Sequence, residues 1–329
     1  MQAWTSGRIG RRAWLAGLGA SGVMGLVAGP SWGTRAAGAG PRQGADADLK
    51  AIEAKGAEAG LGPFRSVESR HYRVAGDAPE GFLRLTLRDC EAVAVDYFDH
   101  YRAQGFDLKR PEGRLSAVAL ADARSYAAFL GGQPDRSNGG RYDRASNRLY
   151  VYDFRPQGAN GDLRAGHVNL IFLAHEATHQ LAFNTGLLDR LGDVPRSISE
   201  GLALYGEIRR PDGSSPPGQV NAMRLTDLAR KQRQGLAWIP LPRLLADDRP
   251  FSDPSQLDLT LLAYAQSWLL VYHLMSDPAL LPRFRDYLRA IAPRRDPKDR
   301  LDDAKGHLGS LDLIDRDLRK LSVRLLKAT

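Results

Sequence analysis

Cysteine is almost missing from this chain: Cys90 is the single one in 329 residues. One thiol closes no intrachain disulfide, so the fold has no covalent staple of its own. Leu83, Leu87 and Ala94 stand at helical spacing around Cys90, which reads as a small core residue. Long apolar runs are scarce as well. The uncharged run Ala13–Gly29 is glycine-rich and short of the roughly 20 residues that span a bilayer. Acids are missing altogether before residue 40, where four arginines stand. A basic start, the pair Arg11-Arg12 before Ala13-Trp14-Leu15, and small residues at Ala37-Gly38-Ala39 read as a cleavable export signal of the twin-arginine type. No cysteine follows at that point to take a lipid, so membrane contact is expected only through an uncleaved signal.

Removing those four arginines lowers the formal charge from +8 to +4, and no basic run interleaved with aromatics is present. A nucleic-acid partner is therefore not expected. Internal repeats are lacking, and low complexity is confined to the signal and to a Gly/Ala/Pro-rich stretch at about 40–65, read as a linker followed by a short helix.

What is present is enough to bury a core: 43% hydrophobic and 26% charged residues, as in ordinary globular domains. Residues 66–166 alternate strands and helices in an α+β manner. SRHYRVAG reads as a strand, Ala78 to Gln104 as a helix, 114–122 as a buried strand and SYAAFLGG as a short helix; GGRYDRASNRLYVYDF reads as a hairpin turning at Arg144 to Asn147. Gly139-Gly140 reads as a turn. Residues 167–329 are mainly helical, with helices at Val168–Asn184, from Ser197, at Leu261–Met275, at Pro282–Ala292 and at the C-terminus.

The chemistry is concentrated at HEATHQ, residues 175–180. His175 and His179, at i and i+4 on a helix, lie about 40° apart and can reach one point above the same face. Glu176 projects about 100° away, able to touch a water there without being a ligand. This is the H-E-x-x-H arrangement of metalloproteases. A third ligand is required, and the candidate is Glu200 in SISEGLALYGE. The same residues also spell a capping box, in which Glu200 would only satisfy the Ser197 amide. Metal ligands need partners that hold their rings; Asn184, Asp189 and Asp193 are the near candidates in sequence. His71, His100 and His307 lack ligand spacing and read as ordinary histidines, while His167, just before the motif helix, reads as a helix-start residue.

HEATHQLAFNTGLL followed by PRSISEGLALYGE resembles the gluzincin zinc peptidases, which combine HExxH with a downstream glutamate ligand. More narrowly, it resembles a bacterial exported family, domain of unknown function 1570. The resemblance implies a zincin-like α+β fold: a mixed sheet in an N-terminal subdomain packs on the HExxH helix, and a mainly helical subdomain follows. It implies zinc held by His175, His179 and Glu200, with Glu176 as general base. In LAYAQSWLLVYHLM, Tyr264 opening Y-A-Q-S looks like the tyrosine donor of gluzincin aminopeptidases; Tyr272 and His273 are the other polar-tipped candidates on that helix. The expected protein is an exported, periplasmic or extracellular peptidase or amide hydrolase acting on a peptide, protein or peptidoglycan stem. Two alternatives stand beside it: a catalytically silent zincin-like scaffold that binds envelope partners, and a plain helix pair with buried, hydrogen-bonded histidines.

Overall fold

A computed structural model describes residues 41–133, 139–155, 163–209 and 216–328. The export signal read over residues 1–39 lies outside them. The first half runs α1 (Pro41–Glu58), β1 (Arg65–Glu68), β2 (Tyr72–Gly76), α2 (Glu80–Ala103), β3 (Leu115–Leu120), α3 (Ala123–Leu130), β4 (Gly140–Asp143) and β5 (Arg148–Tyr152). The second half is helical: α4 (Leu163–Asn184), α5 (Arg196–Gly206), α6 (Ala222–Arg233), α7 (Leu241–Ala246), α8 (Leu257–Ser276), α9 (Leu280–Ile291), α10 (Arg300–Leu308) and α11 (Leu311–Ala328).

The sheet is mixed, in the order β1-β2-β3-β5-β4. Its three inner strands are parallel, and each edge strand is antiparallel to its neighbour. Alternation along β3 shows why both faces are covered. Leu115, Ala117 and Ala119 join the core that α2 and α4 share, with Val93, Tyr97, Ala174, Ala177 and Leu181. Val118 and Leu120 face the other way, onto Ile52 of α1 and Tyr126 and Phe129 of α3. Cys90 is fully buried within the first of these cores.

The structure differs from the sequence reading at several points, among them helices α6, α7 and α10, which that reading does not contain. The helix in the 40–65 stretch is longer than the short one expected, 18 residues. Gly140 is not in a turn: it opens the edge strand β4 and pairs with Val151. The helix carrying HEATHQ begins at Leu163, so His167 lies inside it rather than before it. The hairpin turn does fall at Arg144 to Asn147, where Asn147 takes a left-handed φ of 58°.

Candidate metal centre

Every position of HEATHQ is committed by the surrounding packing. Ala177 faces the core beneath the sheet, and Gln180 donates from Nε2 to the carbonyls of Ser116 and Asn147, both at 3.0 Å, fixing α4 against β3 and the hairpin turn. Thr178 lies against the end of α5, where a Cβ on Gly206 would stand 2.6 Å from its Oγ1. These contacts turn His175 and His179 together towards α5, with ring centroids 4.9 Å apart.

The chain returns from α4 to α5 through a turn stopped by Gly186 at φ 84°, a conformation that glycine adopts without strain. Asp193 in that turn receives Arg300 Nε at 2.8 Å, and Asp248 accepts the Arg196 amide at 3.0 Å. Helix α5 then crosses α8 at very short range. A Cβ on Gly201 would lie 2.5 Å from the Ser267 carbonyl oxygen and 2.6 Å from Val271 Cγ2, so only glycine allows this approach beside Glu200.

Glu200 lands on the histidines. Its Oε2 is 3.4 Å from His175 Nε2 and 3.3 Å from His179 Nε2, and the three ligand atoms lie within 4.8 Å of one another. The capping box is not formed. Pro195 is the N-cap of α5 and makes no side-chain bond, while Ser197 Oγ is buried without a partner.

This group can hold a metal ion. Ligand distances near 2.1 Å place the corners of a tetrahedron roughly 3.4 Å apart, the separation that Glu200 keeps from both rings. His175 Nε2 is buried, and Glu200 Oε2 beside it at 3.4 Å makes no well-formed hydrogen bond with it, so once deprotonated this nitrogen has its lone pair left for a cation. His179 keeps 11% of its side chain exposed and is the open side of the cluster.

The charges are strongly coupled. Burial opposes ionisation of Glu200, but the His179 charge, the two imidazole rings beside it and Arg196, 3.6 Å away, hold its carboxyl well below the usual range. Burial likewise opposes protonation of His175, yet the carboxylates of Glu200 and Glu207, 3.4 and 3.1 Å from its two nitrogens, push it up to about 9. Glu176 points elsewhere. Its Oε2 accepts the Tyr142 amide of β4 at 2.5 Å, and burial raises its pKa, with the two histidine charges opposing. Gly140 makes room for it: a Cβ there would meet Glu176 Cγ at 2.9 Å.

Tyr264 is buried with a hydroxyl that has no hydrogen-bond partner. Burial and the charges of Glu200 and Glu176 raise its pKa, with Arg196 and Arg224 opposing. The other two candidates on α8 lie elsewhere. His273 is surrounded by Asp277, Asp317 and Arg324, and Tyr272 packs on Trp268 with ring centroids 5.4 Å apart.

None of the three proposed ring-holding residues touches the cluster. Asn184 bonds Asn147 and the Gln180 carbonyl, Asp189 pairs with Arg295, and Asp193 pairs with Arg300. The residue that does hold a ring is Glu207, whose Oε2 lies 3.1 Å from His175 Nδ1. The signal for it was its place seven residues after Glu200, two turns along the same helix face.

Residues 169–297 match a family described as "Protein of unknown function (DUF1570)". The DUF1570 match takes in His175, Glu176, His179, Glu200, Glu207 and Tyr264 together, while the sheet strands that receive Gln180 and Glu176 lie outside it. No curated protein matches the chain.

Proposed function

We propose that the protein is a zinc-dependent hydrolase of gluzincin type that cleaves peptide or related amide bonds. The observation that carries this reading is the convergence of two histidines and a carboxylate whose ligand atoms lie within 4.8 Å of one another, with a second carboxylate beside them and off the cluster. The mixed sheet packed on the motif helix supports reading the fold as zincin-like.

Zinc, when bound, supplies a positive centre that polarises a carbonyl and brings the pKa of a water from about 15.7 towards 7. His175, His179 and Glu200 would hold it. Glu176, with Oε2 fixed by the Tyr142 amide, has its other oxygen left to accept the proton of the attacking water and return it to the leaving nitrogen. Tyr264 would place its unpartnered hydroxyl on the oxygen that gains charge. Peptides, proteins or peptidoglycan stems are the substrate classes this chemistry serves. The sequence Arg11-Arg12 with its apolar run supports action outside the cytoplasm; among the described residues, no helix is long and apolar enough to cross a membrane.

The test is incubation of the zinc-reconstituted protein with mixed peptides and peptidoglycan fragments, read by mass spectrometry. Cleavage by the wild type, abolished by phenanthroline, restored by zinc and absent in Glu176→Gln, is the expected result. Zinc bound without cleavage of any class would instead favour the silent scaffold.

A further inference from the structure

We propose that Glu207 is the positioning residue of the metal centre, the group that determines which nitrogen of His175 faces the cluster. The inference rests on the reading above that this cluster holds zinc. Glu207 caps the C-terminal end of α5 and its side chain is 1% exposed. Both of its oxygens are engaged. Oε2 meets His175 Nδ1 at 3.1 Å, while Oε1 receives Asn221 Nδ2 at 2.6 Å and pairs with Arg224 Nε at 3.4 Å.

The polarity of this chain of contacts follows from its far end. Asn221 is the N-cap of α6, and its Oδ1 accepts the Arg224 amide at 3.1 Å. That leaves its Nδ2, a donor only, facing Glu207. An ionised carboxylate accepts and does not donate, so His175 must carry a proton on Nδ1 and donate it to Oε2. A proton fixed on Nδ1 commits Nε2, which is buried and has no hydrogen-bond partner, to the side of Glu200 and His179. Helix α6, through its N-cap Asn221 and through Arg224, thereby belongs to the metal centre. Metal-ligating histidines commonly depend on such a carboxylate behind the ring.

Glutamine discriminates this role from simple packing. Its amide is nearly the shape of the carboxylate but must present an NH2 to one side. Facing Asn221 it opposes a donor with a donor; facing His175 it favours the tautomer whose proton sits on Nε2 and blocks the ligand position. Competition against a chromophoric chelator should show zinc binding of folded Glu207→Gln weakened by about tenfold to a hundredfold. Asn221→Ala, which leaves Glu207 in place but unsupported, should weaken it less. Nitrogen NMR of the zinc-loaded wild type should place the His175 proton on Nδ1, a measurement that needs no variant to fold.

Unchanged zinc affinity in the folded variants, or a proton on Nε2, would overturn the proposal. Because zinc affinity and tautomer are read without any substrate, weakened binding in a protein that hydrolyses nothing would leave Glu207 its role and remove the hydrolase instead.

Discussion

Glu176 and Tyr142 are joined across two elements: the carboxylate on α4 accepts the backbone amide of the edge strand at 2.5 Å. The bond holds Glu176 beside the cluster without making it a member. Glu176→Gln should therefore keep zinc content and thermal stability, while hydrolysis falls at least about a hundredfold, the scale of losing a general base. Zinc analysis and turnover on the same preparation check this; zinc lost together with activity would move Glu176 into the ligand set.

Helix α5 presents Glu200 to the histidines only because Gly201 lets it lie against α8. A methyl at that position would enter the space of the Ser267 carbonyl, a backbone atom that cannot swing aside. Gly201→Ala should cost about 1–3 kcal/mol of stability, as overpacking does, and should weaken zinc binding as well, since the shift is transmitted to the adjacent ligand. Thermal unfolding with and without zinc separates the two effects. A variant as stable as the wild type would mean that the helices part without resistance.

The Tyr264 hydroxyl is buried among charges yet hydrogen-bonded to nothing, so its removal breaks no hydrogen bond of the resting protein. Tyr264→Phe should lower kcat by roughly tenfold to a thousandfold, on the scale of losing one donor to a developing oxyanion, with KM changed less. Melting temperature and zinc content should stay close to wild type. Unaltered kcat would leave Tyr264 a packing residue.

If the cluster holds zinc as proposed, zinc and protons compete for His175. Because that imidazole holds its proton up to about pH 9, zinc must displace it at lower pH, and binding releases it to solvent. Glu200, held well below the usual carboxylate range, has no proton to give up. Apparent zinc affinity should rise by about tenfold per pH unit on approaching pH 9 and level off beyond it. Calorimetric titration in buffers of different protonation enthalpy would count the released proton; pH-independent affinity between 6 and 9 would contradict it.

The legible part of the site was what local spacing carries. His175 and His179 declare themselves through the helical repeat, and the hairpin around Arg144 to Asn147 through its turn residues. Glu200 was ambiguous because Ser197 also fits a capping box; the ambiguity ends only when Pro195 takes the cap position. Gly140 was misread because a glycine that admits a neighbouring side chain looks, in sequence, like one that makes a turn; its reason is Glu176, distant in the chain. Asn221, Arg224 and α6 went unseen for a related cause. That helix is short and rich in charge, with few apolar residues facing inward, and its tie to His175 exists only once α4 and α5 have crossed.

The central claim is that His175, His179 and Glu200 form one zinc site, and equilibrium zinc titration of the purified chain tests it most directly. The wild type should bind about one zinc per chain after reconstitution. Glu200→Ala should remain folded, since no cap is lost, and bind zinc orders of magnitude more weakly. Absence of zinc binding in the reconstituted wild type, or unchanged affinity in Glu200→Ala, would contradict the account.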